Sequence, residues 1–151
     1  MKKCIALLVV ALLLPFTSQA DEKGLITKPS QFSVTETIDR LENVLKKKGI
    51  TIALRWSHSD KANGVGIKVR PTELLIFGNP KLGSNMFTSN QVSGIDFPMK
   101  ALAWQDEKGK VWITYNDPSY LAGRHGVTDR AKVVNKMTGA LNKFTDVATK
   151  P

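Results

Sequence analysis

Two imidazoles limit the proton chemistry open to this chain. His58 and His125 are the only histidines, and no other side-chain type titrates near neutral pH at its unperturbed value, so a general base, a general acid or an imidazole ligand must be one of them. Asp96 lies in the segment Ile95-Asp96-Phe97-Pro98, and a carboxylate with such apolar neighbours is paired, hydrogen-bonded or functional. A turn aspartate that accepts backbone N–H groups is the competing expectation. Tyr115 continues the alternation of Val111 and Ile113, which predicts a buried ring with its hydroxyl at the end of a sheet. Asn79 sits in Gly78-Asn79-Pro80-Lys81-Leu82-Gly83-Ser84, a turn before a short helix whose backbone N–H groups could hold an anion. The segment lacks the spacing of a phosphate loop. It reads first as a tight connection, with Asn79 suited to a left-handed conformation. His58, Asn79, Asp96, Tyr115 and His125 are therefore the candidate ligand contacts.

Several chemistries are excluded by what is missing. There is no Gly-x-Ser-x-Gly elbow, no His-Glu-x-x-His pair and no cofactor fingerprint. Two imidazoles and a carboxylate suit zinc, copper or iron, but most of the domain separates the two histidines, and no metal site is expected. Two functions of different class follow. One is a binding or accessory domain that takes a small-molecule ligand, and the other is a small hydrolase or isomerase with one histidine as general base.

The elements that must position these residues follow a leader. Lys2 and Lys3 precede an unbroken aliphatic run from Ile5 to Leu14, and Ser18-Gln19-Ala20 has small residues where a signal peptidase reads. The run is short of the roughly 20 residues that cross a bilayer. Cleavage after Ala20 is expected, leaving a single domain over 21–151 in the periplasm with no membrane anchor. Cys4, the one cysteine, leaves with the leader, so the mature domain has no disulfide and no thiol nucleophile.

Removing two lysines takes the net charge from +9 to +7. That charge is spread along the chain, and export separates it from nucleic acid, so no nucleic-acid partner is expected. Anionic envelope surfaces are the more natural long-range partner. With 42% apolar and 23% charged residues, the composition suits a globular domain rather than a disordered chain.

Ser33 and Glu36 form a capping box, and Val34, Ile38, Leu41 and Leu45 make one apolar stripe ahead of Lys46-Lys47-Lys48-Gly49, which predicts a helix over 33–48. The lysines suit the negative end of the helix dipole. Residues 50–58 alternate, with Ile50, Ile52, Leu54 and Trp56 expected on one buried face. Val65, Ile67 and Val69 repeat that pattern, and 72–77 forms a short apolar run. Residues 99–105 and 110–115 flank Asp106-Glu107-Lys108-Gly109 and should pair as a hairpin. Asp117-Pro118 starts a short helix closed near Gly126, and a longer helix from Thr128 carries Met137, Leu141 and Phe144 on its apolar face. Helices with one apolar face beside several strands give an α+β domain: a mainly antiparallel sheet with helices packed on one side.

The stretch from Leu25 to Val127 resembles the family numbered 302 among the domains of unknown function. The likeness is carried in order by 58–66, by Leu74-Leu75-Ile76-Phe77-Gly78-Asn79-Pro80-Lys81, by Gly94 to Lys100, by Val111-Trp112-Ile113-Thr114-Tyr115-Asn116-Asp117-Pro118, and by Leu121 to Gly126. The resemblance implies one curved antiparallel sheet of TATA-binding-protein-like fold and a homodimer. It implies no agreed biochemical activity and names no cofactor. It also places His58 and Asp96 in recurrent motifs, from which the two are expected to meet, or to share a polar cluster with Tyr115 or His125, at one edge of the sheet.

Overall fold

The chain runs β1 (Leu25–Ser30), α1 (Val34–Lys47), β2 (Thr51–Ser57), α2 (His58–Asn63), β3 (Thr72–Gly78), α3 (Pro80–Ser89), a 3₁₀ helix (Gln91–Asp96), β4 (Met99–Gln105), β5 (Val111–Asn116), α4 (Pro118–Arg124) and α5 (Ala131–Thr149). These elements come from a computed structural model that describes residues 24–151. The expected leader, 1–20, lies outside the described residues.

Local signals account for most of the boundaries. Ser33 Oγ accepts from the Glu36 N–H at 3.2 Å to start α1, and Gly49 at φ +68° takes the left-handed conformation that ends it. Asp117 Oδ1 caps α4 by accepting from the Ser119 N–H, with Pro118 in the first turn. α5 begins at Ala131, three residues beyond Thr128. Asp129, the side chain that could have capped an earlier start, instead accepts from Ser89 and pairs with Arg130.

The five strands form one open antiparallel sheet in the order β1-β5-β4-β3-β2. Strands β2 to β5 make a meander and β1 joins its far edge, so α1 must cross the sheet diagonally to connect the two edges. It packs there against α5. Alternation on β3, β4 and β5 turns Leu75, Phe77, Ala101, Ala103, Ile113 and Tyr115 toward these helices, where they are buried with Ile38, Leu41, Leu45, Met137 and Leu141. This is the α+β class expected, with helices on one face.

Two polar clusters tie the layers together. The Lys28 ammonium, almost wholly buried on β1, donates to the Asn142 carbonyl, Thr145 Oγ1 and Asp146 Oδ1 of α5 at 2.8 to 2.9 Å. Arg55 of β2 makes a two-pronged bond to Glu73 on β3 and a further one to Asp39 on α1. Each buried charge is thereby paired, as low dielectric surroundings demand.

The alternation over 50–58 predicts a buried Leu54 and Trp56, and here the structure differs. A bulge shifts the β2–β3 register between Ile52 and Leu54, so the extra residue turns the rest of the strand over. Leu54 and Trp56 face away from the helices at 44% and 40% exposure, while Arg55 takes the inward position. Together with Leu74, Ile76, Leu102, Trp104 and Trp112 they make the outer sheet face apolar. Val65, Ile67 and Val69 form no strand. They are exposed in the connection between α2 and β3, where Gly66 at φ +80° and Pro71 break the extension.

Candidate functional site

Small residues open a cavity where the helices meet one end of the sheet. Its volume is about 450 Å³, inside the roughly 300 to 1,000 Å³ range of small-ligand sites. Leu45 of α1, Ala53 of β2, Phe77 of β3 and Phe87 of α3 form part of the wall, with Phe97 ahead of β4 and Ala140 and Phe144 of α5. Gly78, Gly83 and Gly94 also line it. A Cβ at Gly83 or Gly94 would sit 3.9 Å from the Phe87 ring, and one at Gly78 would come within 3.2 Å of Pro98. The ring of Phe87 meets that of Phe97 edge to face at 5.7 Å. Thr51, Asn79 and Ser84 are the polar side chains of the lining, and none of the lining residues is charged.

The five candidate contacts separate into four places. Asn79 lines the cavity. It is extended rather than left-handed, at φ −116°, and its Oδ1 accepts from the Lys81 N–H to cap α3.

Asp96 and His125 come together beside that cavity. Asp96 ends the 3₁₀ helix and His125 follows α4, and Oδ2 of one lies 2.6 Å from Nε2 of the other. Their side chains are 13% and 8% exposed. Arg124 Nη1 approaches the same oxygen at 3.4 Å, and the His125 carbonyl accepts from Asn90 Nδ2. A carboxylate facing Nε2 orients the ring and leaves Nδ1 as the other nitrogen. The pair lies outside the cavity lining.

Tyr115 is buried on the helix side of β5, within the Lys28 cluster. Burial pushes its phenol up, against a hydrogen bond with Thr145 that acts the other way. The Lys28 ammonium lies 5.9 Å from the ring centre. The hydroxyl thus lies under α5, away from Asp96.

His58 is exposed at the start of α2, and the expected meeting with Asp96 does not occur. Both β2 and β4 run antiparallel to β3, so they run parallel to each other. His58 follows the last residue of β2 and Asp96 precedes the first of β4, which puts them at opposite ends of the sheet. That consequence was readable from a three-strand meander. The cavity was harder to see. Its signal is the recurrence of glycine or alanine at 53, 78, 83, 94 and 140 among aromatic residues.

Among the described residues no group of three His, Cys, Asp or Glu side chains could hold a metal ion, and no helix is long and apolar enough to cross a membrane.

Comparison with known proteins places these features in a wider set. The family model described as "Domain of unknown function DUF302" matches residues 26–144. Proteins named "Fluoride-specific ion channel FluC 1" from Brucella suis biovar 1 and Brucella abortus biovar 1 are each 40% identical over 127 residues, covering 82% of this chain and 50% and 47% of theirs. The chain spans about half the length of the curated relatives it matches. A crystal structure of an uncharacterized conserved DUF302 protein from Bacillus stearothermophilus is similar in fold, with a TM-score of 0.72 at 24% identity over 83% of this chain and 98% of that one.

Proposed function

The chain belongs to the DUF302 family, and on that premise we propose that it is an exported domain that binds a small apolar ligand in the cavity between α1, α3, α5 and the ends of β2 and β3. The observation that carries this reading is the uncharged lining around about 450 Å³ of space. Apolar walls with a few placed polar groups are what small-ligand sites present, and Thr51, Asn79 and Ser84 are those groups here. The periplasm remains the proposed location, on the strength of the leader. The channel name of the relatives belongs to proteins about twice as long as the match, and we read the shared half as a binding unit rather than the conducting one.

Binding suits the geometry better than hydrolysis or isomerisation does. Neither imidazole lines the cavity: His58 is at the far end of the sheet and His125 turns Nε2 to Asp96. The open sheet face, with Leu54, Trp56, Trp104 and Trp112, is the surface through which two copies would pair.

The test uses a neutral fluorophore, N-phenyl-1-naphthylamine, and the mature protein. Wild type should bind it with enhanced emission, and Ala140→Trp, which fills the cavity, should lose that binding while keeping its circular dichroism. An unchanged titration in the filled variant would overturn the assignment.

A further inference from the structure

The charges next in sequence to the residues that line the cavity are distributed unevenly. Five lysines, Lys46, Lys81, Lys100, Lys136 and Lys143, are each next in sequence to a lining residue, whereas Asp96 is the one acid so placed. That acid is engaged by His125 and Arg124. Lys46 pairs with Glu42, and Lys100 Nζ lies 3.4 Å from the Asp96 carbonyl. Lys81, Lys136 and Lys143 are exposed, and none of them has an ion pair among the described residues.

We propose that the cavity takes an anionic amphiphile, with its aliphatic chain against the uncharged lining and its acidic headgroup among Lys81, Lys136 and Lys143 at the rim. This rests on the cavity reading above. An ionised headgroup does not follow its chain into such a lining, because no charged side chain there offsets the loss of hydration. It stays at the mouth, where unpaired ammonium groups attract it across partly screened solvent. The aliphatic part supplies affinity and the lysines supply preference for the acid. A fatty acid in free solution and an anionic phospholipid in a bilayer share this chemistry.

The experiment displaces N-phenyl-1-naphthylamine with dodecanoate and, separately, with 1-dodecanol. Both are run on wild type and on the triple variant Lys81→Glu, Lys136→Glu, Lys143→Glu. The variant should weaken dodecanoate about tenfold, the combined effect of three exposed charges, and leave dodecanol within about twofold. Raising the salt should weaken dodecanoate alone. Lengthening the acid should tighten binding about fourfold per methylene. Vesicles separate the two sources. Co-sedimentation with phosphatidylglycerol but not phosphatidylcholine supports a bilayer lipid, and dodecanoate binding without it supports a free acid. Equal dodecanoate affinity in wild type and the triple variant would overturn the proposal while leaving the cavity reading intact. Failure of the fluorophore to bind wild type would remove the cavity reading, and this proposal with it.

Discussion

His125 Nε2 lies 2.6 Å from Asp96 Oδ2 and joins the end of α4 to the 3₁₀ helix that precedes β4. The pair is nearly buried, and the flanking Arg124 guanidinium is mostly in solvent. Its geometry is that of a brace: each partner satisfies the other where water is scarce.

Removing one partner exposes the cost. Among the described residues, His125→Ala leaves the Asp96 carboxylate with only the more distant guanidinium, and an unsatisfied buried group costs about 1 to 3 kcal/mol. Urea denaturation should show that loss, whereas affinity for the neutral fluorophore should change less than twofold because neither residue lines the cavity. His58→Ala, at an exposed position, should stay within about 0.5 kcal/mol of wild type. A larger loss for His58→Ala than for His125→Ala would reverse this ranking.

Acid stability should depend on Asp146. Burial pushes its carboxyl up, but the hydrogen bond and charge of Lys28, with Lys150, outweigh that and hold it below its ordinary value. A carboxyl depressed in the folded state contributes stability that is present above the unfolded value, about 4, and lost as pH falls through the folded one. Asp146→Asn should therefore flatten the decline of melting temperature between about pH 5 and pH 3. Parallel acid limbs for variant and wild type would show that the Lys28 pair contributes nothing to pH dependence.

Gly24 cannot carry a side chain. Its φ is +73°, and a Cβ built there would lie 2.0 Å from the Tyr120 ring, while its carbonyl accepts from the Asp117 N–H. Gly24→Ala combines a left-handed penalty of about 1 to 2 kcal/mol with displacement of Tyr120. Thermal melting should show a marked drop. Gly139→Ala is a control, since Gly139 lies within α5 and a Cβ there meets nothing within 4 Å; it should stabilise by up to about 1 kcal/mol.

The outer sheet face supplies the test of pairing. Trp56 and Leu54 are two of its exposed apolar residues, and a stable dimer needs on the order of 1,000 Å² of buried surface. Trp56→Glu puts a charge into that surface. Light scattering should show a dimer for wild type and a monomer for the variant, and a monomer for both would remove the homodimer from the reading.

Most of the elements were legible in the sequence, because periodicity and caps act over a few residues; the exceptions are α2, the 3₁₀ helix and the alternation at 65–69, which forms no strand. Ser33, Glu36 and the stripe from Val34 to Leu45 specify α1 wherever it packs, and the turn at 106–109 specifies its hairpin. The likeness to the family was legible for the same reason, being carried by short segments in order. Which chemistry-bearing residues meet was a different matter. His58 and Asp96 are separated because strands two apart in a meander run the same way, and Asp96 finds His125 only when α4 returns to the 3₁₀ helix. The bulge after Ile52 reverses the faces of Leu54 and Arg55, which a strict alternation cannot show, since one unpaired residue shifts all that follow. The cavity depended on tertiary structure: its walls come from seven separate elements, and the glycines and alanines among them take up little of the space they enclose.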